Sequence, residues 1–182
     1  MDSLRQTAIE LSIPERTLKR AAAEGLIHGE RISQRRFRVP LREESYLRTH
    51  WGLLHLLRGV LRTEPNVRLA VLFGSLARGN DQEGSDVDVL VVLADSSVGR
   101  LAGLTERLTR RVARNVQLIR LADAENAPVL LADIIDQGRV LIDREDRWAD
   151  LVKAGAKWRR LARGAERILP AMDGLELDSP TV

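Results

Sequence analysis

Two short motifs in the middle of the chain hold the residues best suited to chemistry. Gly74-Ser75 ends one apolar run, Asp86-Val87-Asp88 opens another, and ten residues separate Ser75 from Asp86. A strand that stops at glycine lets backbone N–H groups approach an anion without a side chain in the way. A helix beginning at Ser75 would direct further N–H groups and its positive dipole end to the same place. The first motif therefore predicts a phosphate site, although an ordinary strand-to-helix turn has the same residues.

The second motif predicts a site for a divalent cation. Side chains at i and i+2 of a strand point to one face, so the Asp86 and Asp88 carboxylates project together. Two like charges at the mouth of an apolar strand are costly unless a cation neutralises them. Mg²⁺ is a hard ion that binds a few carboxylates together with substrate phosphates. An isolated Asp-x-Asp is usually a solvated strand end, but its combination with Gly74-Ser75 favours a Mg²⁺-nucleotide site.

The segments around both motifs resemble the minimal nucleotidyltransferase family. The matching stretches are Phe73-Gly74-Ser75-Leu76-Ala77-Arg78-Gly79 and Gly84-Ser85-Asp86-Val87-Asp88-Val89-Leu90-Val91, and the resemblance covers roughly residues 66 to 142. This family is related to DNA polymerase β, poly(A) polymerases and aminoglycoside nucleotidyltransferases. Its members transfer a nucleoside monophosphate from a nucleoside triphosphate to an acceptor and release pyrophosphate. The resemblance implies an α/β (α+β) nucleotidyltransferase fold, in which helices flank a small mixed sheet.

The resemblance also implies roles for individual residues. Gly74 and Ser75 would hold the triphosphate, and Asp86 and Asp88 would be the catalytic residues that hold two Mg²⁺ ions. Such metals clamp the attacking and leaving oxygens of an in-line displacement. Two further residues of the matched stretches are expected to bind nucleotide, Arg78 and Ser85. Arg78 would meet the β- or γ-phosphate, unless it is an ordinary helix-surface arginine.

The sequence departs from the family pattern at one position. The family normally supplies a third carboxylate from the next strand, but this sequence has Val116-Gln117-Leu118-Ile119 there. An amide is neutral, binds Mg²⁺ weakly and cannot accept a proton from the acceptor. Asp123 and Glu125 follow the strand and are the candidates to replace the missing group. We therefore expect an intact nucleotide site and an impaired acceptor-activating half.

Composition narrows the function classes. The chain has 182 residues and no cysteine, which excludes disulfides, thiol nucleophiles and thiolate zinc sites. The first residues lack the apolar stretch of a signal peptide, and no apolar run approaches the ~20 residues that a membrane span needs. We expect a cytoplasmic protein without a membrane partner.

The first forty residues predict a DNA-binding module. Residues 1–63 hold twelve basic and seven acidic residues, although the whole chain has a net charge of only +3. Leu4, Ala8 and Leu11 have the spacing of a first helix. A second helix is expected from Glu15 to Glu24, with Leu18 and Ala22 pointing inward. Ser12 is expected to cap this helix, Pro14 to lie in its first turn and Gly25 to end it. Leu26-Ile27 is expected to pair with residues 36–39 as a hairpin.

This module resembles MerR-like and winged helix-turn-helix regulators, in which the second helix enters the major groove and the wing contacts the backbone. The residues expected to contact DNA are Arg16, Thr17, Lys19, Arg20, Arg31, Arg35, Arg36 and Arg38. The alternative is a helical hairpin that docks another protein or caps the main domain. A homodimer is expected because such proteins often bind paired half-sites.

The rest of the chain divides into three predicted segments. Residues 41–63 form a linking amphipathic helix, 64–170 the nucleotidyltransferase domain, and 171–182 a disordered tail. Strands are predicted at 67–73, 87–93, 116–121 and 139–142, and helices at 97–113, at 128–135 and over most of 144–169. Pro170 is expected to end the last helix. The side chains of this helix that are expected to point inward are Trp148, Leu151, Ala154, Trp158 and Leu161. His50 and His55 do not share a helix face, so we interpret them as surface or boundary histidines.

Two function classes account for these features. The first is a DNA-binding nucleotidyltransferase-fold protein that binds Mg²⁺–nucleoside triphosphate and transfers a nucleoside monophosphate to a protein or nucleic-acid acceptor. Family analogy suggests a toxin–antitoxin component whose acceptor is its cognate toxin, for example one of the HEPN type. The second is a transcriptional regulator whose impaired transferase domain senses nucleotide or docks a partner, which Gln117 favours. An antibiotic-modifying transferase is disfavoured by the basic N-terminal module.

Overall fold

The computed structural model describes residues 3–32 and 37–172. The N-terminal third contains two short helices, a two-stranded antiparallel ribbon and one long helix. Their bounds are α1 Ser3–Glu10, α2 Glu15–Ala23, β1 Glu30–Arg31, β2 Phe37–Arg38 and α3 Leu41–Arg62. The long helix was predicted at 41–63, and its apolar stripe buries Leu47, Leu54, Leu57 and Leu61.

Several details of the first forty residues differ from the prediction. Ser12 has a left-handed backbone (φ 54°) and does not cap α2, which Pro14 precedes as the N-cap residue. Ala21 is the fully buried alanine of α2, and Ala22, which was predicted to point inward, is partly buried against the same core. Leu26 and Ile27 are buried in the core and do not form a strand. The ribbon pairs Glu30 with Arg38 instead.

A four-stranded mixed sheet forms the centre of the molecule, and its strands lie within two residues of the predicted bounds. The remaining elements are β3 Val67–Phe73, α4 Gly74–Arg78, β4 Val87–Leu93, α5 Val98–Val112, β5 Val116–Arg120, α6 Leu121–Ala124, α7 Pro128–Gln137, β6 Arg139–Asp143, α8 Arg147–Lys153 and α9 Gly155–Met172. The strand order is β5-β4-β3-β6, with only β4 and β5 parallel. The predicted fold class is confirmed.

Each face of the sheet is covered by helices. Val87, Val89 and Val91 of β4 pack with α3 and α5, in the cluster that also contains Leu4 and Leu18 of the N-terminal helices. Leu90 packs on the opposite face, in the cluster that includes residues of α7, α8 and α9. Because strand side chains alternate, Asp88 lies on the face of Leu90, toward α7.

The C-terminal region departs from the prediction in two places. Trp158 is buried as predicted, but Leu161 is exposed and the next residue, Ala162, is buried in its place. The helix continues past Pro170 to Met172, within the one or two residues by which helix ends vary. The tail predicted to be disordered lies mostly outside the described residues. Among the described helices, none has the length and hydrophobicity that crossing a membrane requires.

Candidate active site

The turn after β3 brings the two predicted motifs together. Gly74 has a left-handed backbone (φ 75°), and a Cβ at this position would collide with the carboxylate of Asp88. The Cα atoms of Phe73 and Asp88 are partners in the β3–β4 ladder, which fixes this approach. Ser75 follows as the second residue of α4 and is half-buried. Glycine is therefore required here both by the backbone and by the carboxylate against it.

The two aspartates lie at the N-terminal end of β4. Asp86 immediately precedes the strand, Asp88 is its second residue, and both are half-buried. Burial raises the pKa of Asp88, and the negative charge of Asp86 raises it further, while Arg78 opposes both effects. This repulsion between neighbouring carboxylates is what a bound cation would relieve.

Arg78 approaches the carboxylates from the end of α4. Its guanidinium forms an ion pair with Asp133 of α7 at 2.9 Å, and its charge lowers the pKa of Asp88. About a third of its side chain is exposed. Arg78 is thus held by α7 and close enough to Asp88 to act on its charge, and its contact with phosphate stays a prediction.

Gln117 occupies the place of the third carboxylate. Its Cα is the partner of Asp88 in the parallel β4–β5 ladder, and its side-chain amide donates a hydrogen bond to Asp86 Oδ2. The described residues contain no group of three or more His, Cys, Asp or Glu side chains that could hold a metal ion. The donor set fits one Mg²⁺ bound by Asp86, Asp88 and nucleotide phosphates, and is incomplete for two.

Asp123 and Glu125, the candidates to replace this carboxylate, lie at the other end of β5. Both follow the C-terminal end of β5, whereas Asp86 lies beside its N-terminal end. The three residues from Gln117 to Arg120 alone span ~10 Å of strand. Asp123 is also engaged by Arg120, which contacts its two oxygens at 2.7 and 2.8 Å.

Ser85 stabilises the loop before β4. Its hydroxyl accepts a hydrogen bond from the Gln82 backbone N–H at 2.9 Å, and its own N–H donates to the Gln82 carbonyl at 3.0 Å. Its carbonyl accepts a bond from Arg114 Nε at 3.0 Å. These contacts give Ser85 a structural task in positioning Asp86, in addition to the predicted contact with nucleotide.

The interpretation of His50 as a surface or boundary residue is wrong. His50 is buried and contacts Asp81 of the loop between α4 and β4, whereas His55 is exposed. The only signal for this contact in the sequence is that His50 lies one turn after Tyr46, on the apolar side of α3. A cavity of about 920 Å³ opens beside His50 and Arg114. Arg78 and most of the loop residues from Gly79 to Gly84 line this cavity, whereas Asp86 and Asp88 do not.

The described residues predicted to contact DNA are mostly at the surface. Arg16, Lys19, Arg20 and Arg38 are exposed, and Thr17 is half-buried. Three of the basic side chains face an acidic partner, in the pairs Lys19–Glu15, Arg20–Glu24 and Arg38–Glu30. Arg35 and Arg36 lie outside the described residues, as does the side chain of Arg31. Local acidic partners reduce the positive potential that this surface presents.

Comparison with known proteins decides the family. A family model described as polymerase beta, nucleotidyltransferase matches residues 56–147. The chain belongs to this family. The match begins within α3 and ends at the start of α8, so it contains the Gly74 turn, both aspartates and Gln117. No curated protein sequence matches the chain.

Solved structures with the same fold come from toxin–antitoxin systems. A toxin–antitoxin structure with AMP-PNP is similar with a TM-score of 0.54 and 24% identity. The match covers 66% of the present chain and 98% of the chain in that structure. The MntA–HepT toxin–antitoxin has a TM-score of 0.51 at 22% identity, covering 68% and 99%. A structure of a tri-AMPylated Shewanella oneidensis HEPN toxin in complex with an MNT antitoxin has a TM-score of 0.51 at 23% identity. The match covers 69% of the present chain and 99% of the chain in that structure. At these identities the likeness shows a shared fold.

Proposed function

We propose that this protein binds Mg²⁺–nucleoside triphosphate at the Gly74 turn and transfers a nucleoside monophosphate to a protein acceptor. The observation that carries the proposal is the contact between Gly74 and the Asp88 carboxylate. This contact supports the proposal because backbone N–H groups of such a turn suit phosphate, and the carboxylate against it is of the kind that binds Mg²⁺. A Gly-Ser turn or an Asp pair alone would not support this function.

The residues divide the work by charge. The N–H groups at the start of α4 and the Ser75 hydroxyl bind the triphosphate, and Arg78 neutralises part of its negative charge. Asp86 and Asp88 hold the cation, which would withdraw charge from the phosphate oxygens when bound. Asp133 orients Arg78 through the 2.9 Å ion pair, which keeps the guanidinium beside Asp88. No carboxylate stands at position 117 to take the acceptor proton, so we expect slow transfer.

A toxin–antitoxin role follows from the fold likeness together with this site. One of the similar structures contains an AMPylated toxin beside an antitoxin, and another contains AMP-PNP. We propose by analogy that the acceptor is a partner protein of this type and that the nucleotide is an adenosine triphosphate. Duplex DNA at the N-terminal helices, and a homodimer to match paired half-sites, are further proposals from the sequence.

The second candidate is a regulator that binds nucleotide without transferring it. The hydrogen bond from Gln117 to Asp86 favours this candidate, because an amide stands where the family has its third carboxylate. Such a protein would report nucleotide levels to DNA or to a partner through the same Mg²⁺-dependent site.

Calorimetry with AMP-PNP tests the site common to both candidates. The wild-type protein should bind AMP-PNP tightly only with Mg²⁺, and Asp86→Asn with Asp88→Asn should abolish that binding. Gly74→Ala should abolish it as well, because its Cβ would displace Asp88. Gly52→Ala is the matched control, since Gly52 lies in α3 where an added Cβ would meet no atom within 4 Å. Equal binding by the double variant would refute the site.

A further inference from the structure

The loop that carries Asp86 has no regular structure of its own. Residues 79–86, which we call the metal loop, connect α4 to β4 and end at Asp86. Its internal hydrogen bonds are the reciprocal pair between Gln82 and Ser85. The place of Asp86 therefore depends on contacts that come from outside the loop.

Arg114, between α5 and β5, makes four of these contacts, while Gln117 bonds to the Asp86 carboxylate itself. Its Nε donates to the Ser85 carbonyl at 3.0 Å, its Nη2 donates to the Gln82 carbonyl at 3.2 Å, and both Nη atoms lie 3.2 Å from Asp81 Oδ2. The carbonyl of the next residue, Asn115, accepts a hydrogen bond from the Val87 N–H at 2.8 Å. Residues 114–115 thus hold the backbone on both sides of Asp86, at Ser85 and at Val87.

Asp81 ties this arrangement to α3 through His50. His50 Nε2 lies 2.8 Å from Asp81 Oδ1, and His50 Nδ1 lies 3.0 Å from the Tyr46 carbonyl. The two ring nitrogens of His50 thus link the backbone of α3 to the side chain of Asp81. Burial acts to raise the pKa of Asp81, but hydrogen bonds from His50 and Arg114 outweigh it and lower that pKa below its ordinary value. Asp81 is held as a carboxylate between the imidazole ring of His50 and the guanidinium of Arg114.

Tyr46 provides a rigid base for His50. The two rings stack with their centroids 4.3 Å apart and an angle of 13° between planes. The guanidinium of Arg139 lies 3.5 Å from the centroid of the Tyr46 ring. Gly79, the first residue of the metal loop, packs against the same ring, where a Cβ would come within 2.9 Å of it. A stacked side chain of this kind loses little further freedom when it binds the loop.

We propose that His50, Asp81 and Arg114 form a loop clamp that positions Asp86 for Mg²⁺. The clamp residues act on the metal loop and are positioning residues. Arg114 holds the backbone at Gln82 and Ser85, and Asp81 joins Arg114 to His50. This inference rests on the proposed function, because it assigns a task to the clamp in the same Mg²⁺-nucleotide site. It gives a function to the buried His50 and the half-buried Asp81, neither of which has a part in the transfer step.

The Mg²⁺ dependence of AMP-PNP binding tests the clamp. Arg114→Gln and Asp81→Asn should each raise the Mg²⁺ concentration for half-maximal binding about tenfold, the effect of ~1.4 kcal/mol in an equilibrium. Saturating Mg²⁺ should restore binding, since Gly74, Ser75 and Arg78 are unchanged. A general loss of folding would instead lower binding at every Mg²⁺ concentration. Arg114→Lys keeps the positive charge but loses the planar set of N–H donors. Its Mg²⁺ concentration for half-maximal binding should therefore lie between those of Arg114→Gln and wild type.

Arg110→Gln is the matched control. Arg110 lies on α5, four residues before Arg114 in the chain, and its ion pair with Glu106 is exposed. This variant should keep the wild-type Mg²⁺ dependence. An unchanged Mg²⁺ dependence in both Arg114→Gln and Asp81→Asn would overturn the clamp.

Hydrogen exchange separates the clamp from the proposed function. Without any nucleotide, amides of peptides spanning residues 79–88 should exchange faster in Arg114→Gln and Asp81→Asn than in wild type or Arg110→Gln. Exchange that is equal in all four proteins would overturn the clamp whatever the nucleotide data show. Faster exchange combined with a wild-type protein that binds no AMP-PNP would support the loop contacts and overturn the proposed function.

Discussion

Arg139 and Glu43 form a two-point ion pair in the interior, although they are 96 residues apart in the chain. Their side chains are 3% and 7% exposed. Arg139 also donates to the Ala77 carbonyl at 2.7 Å and to the Leu26 carbonyl at 3.2 Å. One guanidinium thus joins the start of β6, the helix α4 of the candidate site, the segment after α2 and the helix α3.

Glu43→Gln should strongly destabilise the protein, because it leaves the charge of Arg139 buried without a counter-ion. Removing one partner of a buried ion pair costs about 3–5 kcal/mol. Denaturation by urea measures this change in the free energy of unfolding. Glu106→Gln breaks the exposed pair with Arg110 and should change it by less than about 1 kcal/mol. A similar small change for both variants would contradict the structural importance of the buried pair.

His28 should make stability depend on pH. Burial lowers the pKa of His28, and the charge of Arg139 lowers it further, against the opposing effects of Gly138 and Glu43. The folded protein therefore binds this proton less readily than the unfolded chain, whose histidine titrates near ~6.5. The contribution of neutral His28 is fully present above that pH and is lost as pH falls below it.

His28→Gln tests this dependence, since glutamine does not titrate and can still donate to the Gly138 carbonyl, 3.0 Å from His28 Nε2. The free energy of unfolding should vary less between pH 7.5 and 5.5 in the variant, by at most ~1.4 kcal/mol per pH unit for one proton. His55→Gln, at an exposed position of α3, should keep the wild-type slope. A slope in His28→Gln as steep as that of wild type would assign the acid sensitivity to other groups.

Local sequence patterns were enough to predict the elements that position the candidate site. The apolar runs at 67–73 and 87–93 form β3 and β4 with the predicted bounds. A buried strand can be recognised because its apolar residues follow one another in the sequence. The Gly74 turn and the Asp pair were predicted to lie together because each borders one of these runs. Gln117 was placed beside them by the family pattern, and its bond to Asp86 agrees with that placement.

What could not be predicted depends on contacts between distant parts of the chain. His50 meets Asp81 31 residues later, and Arg58 is buried against Glu24 and the Leu141 carbonyl. The spacing of apolar residues along a helix predicts which face is buried, but it does not indicate which distant loop will contact a polar side chain on that face. Short elements were also misplaced: the ribbon strands have two residues each, too few for a period to be recognised.

The N-terminal helices should bind duplex DNA through electrostatic contacts, since Arg16, Lys19 and Arg20 of α2 are exposed. Binding by the whole protein should weaken as salt increases, because protein that binds phosphates releases counterions. Changing these three residues to alanine should reduce both the affinity and its salt dependence. The slope of the logarithm of the binding constant against the logarithm of the salt concentration should be smaller by roughly one for each phosphate that the variant no longer binds. Fluorescence anisotropy with promoter DNA measures both quantities.

Arg110→Ala is the control for this experiment, because it removes one positive charge from α5 without touching α2. It should leave the affinity for DNA close to that of wild type. If the wild-type protein stayed unbound at low salt, the DNA proposal would fall, and the N-terminal helices would be better explained as a surface that docks another protein.

Gln117→Asp should convert a slow or inactive transferase into a faster one. The Cα of Gln117 is the ladder partner of Asp88, and its side chain already contacts Asp86, so an aspartate there would complete a group of three carboxylates. A carboxylate can accept the acceptor's proton, and such general-base assistance contributes roughly 10²- to 10⁴-fold in rate. The measurement is transfer of label from α-labelled ATP to a co-expressed partner protein or to RNA.

Gln117→Asn is the control, because it keeps the amide and should not gain activity. Nucleotide affinity, measured with AMP-PNP and Mg²⁺, should stay within a few-fold of wild type in Gln117→Asp, so that any gain lies in the transfer step. Vigorous transfer by wild type that Gln117→Ala leaves unchanged would contradict the role assigned to this position. If neither wild type nor Gln117→Asp transferred label while both bound AMP-PNP, the nucleotide-sensing regulator would be the better explanation, because the missing carboxylate would then not be the only element of catalysis that the site has lost.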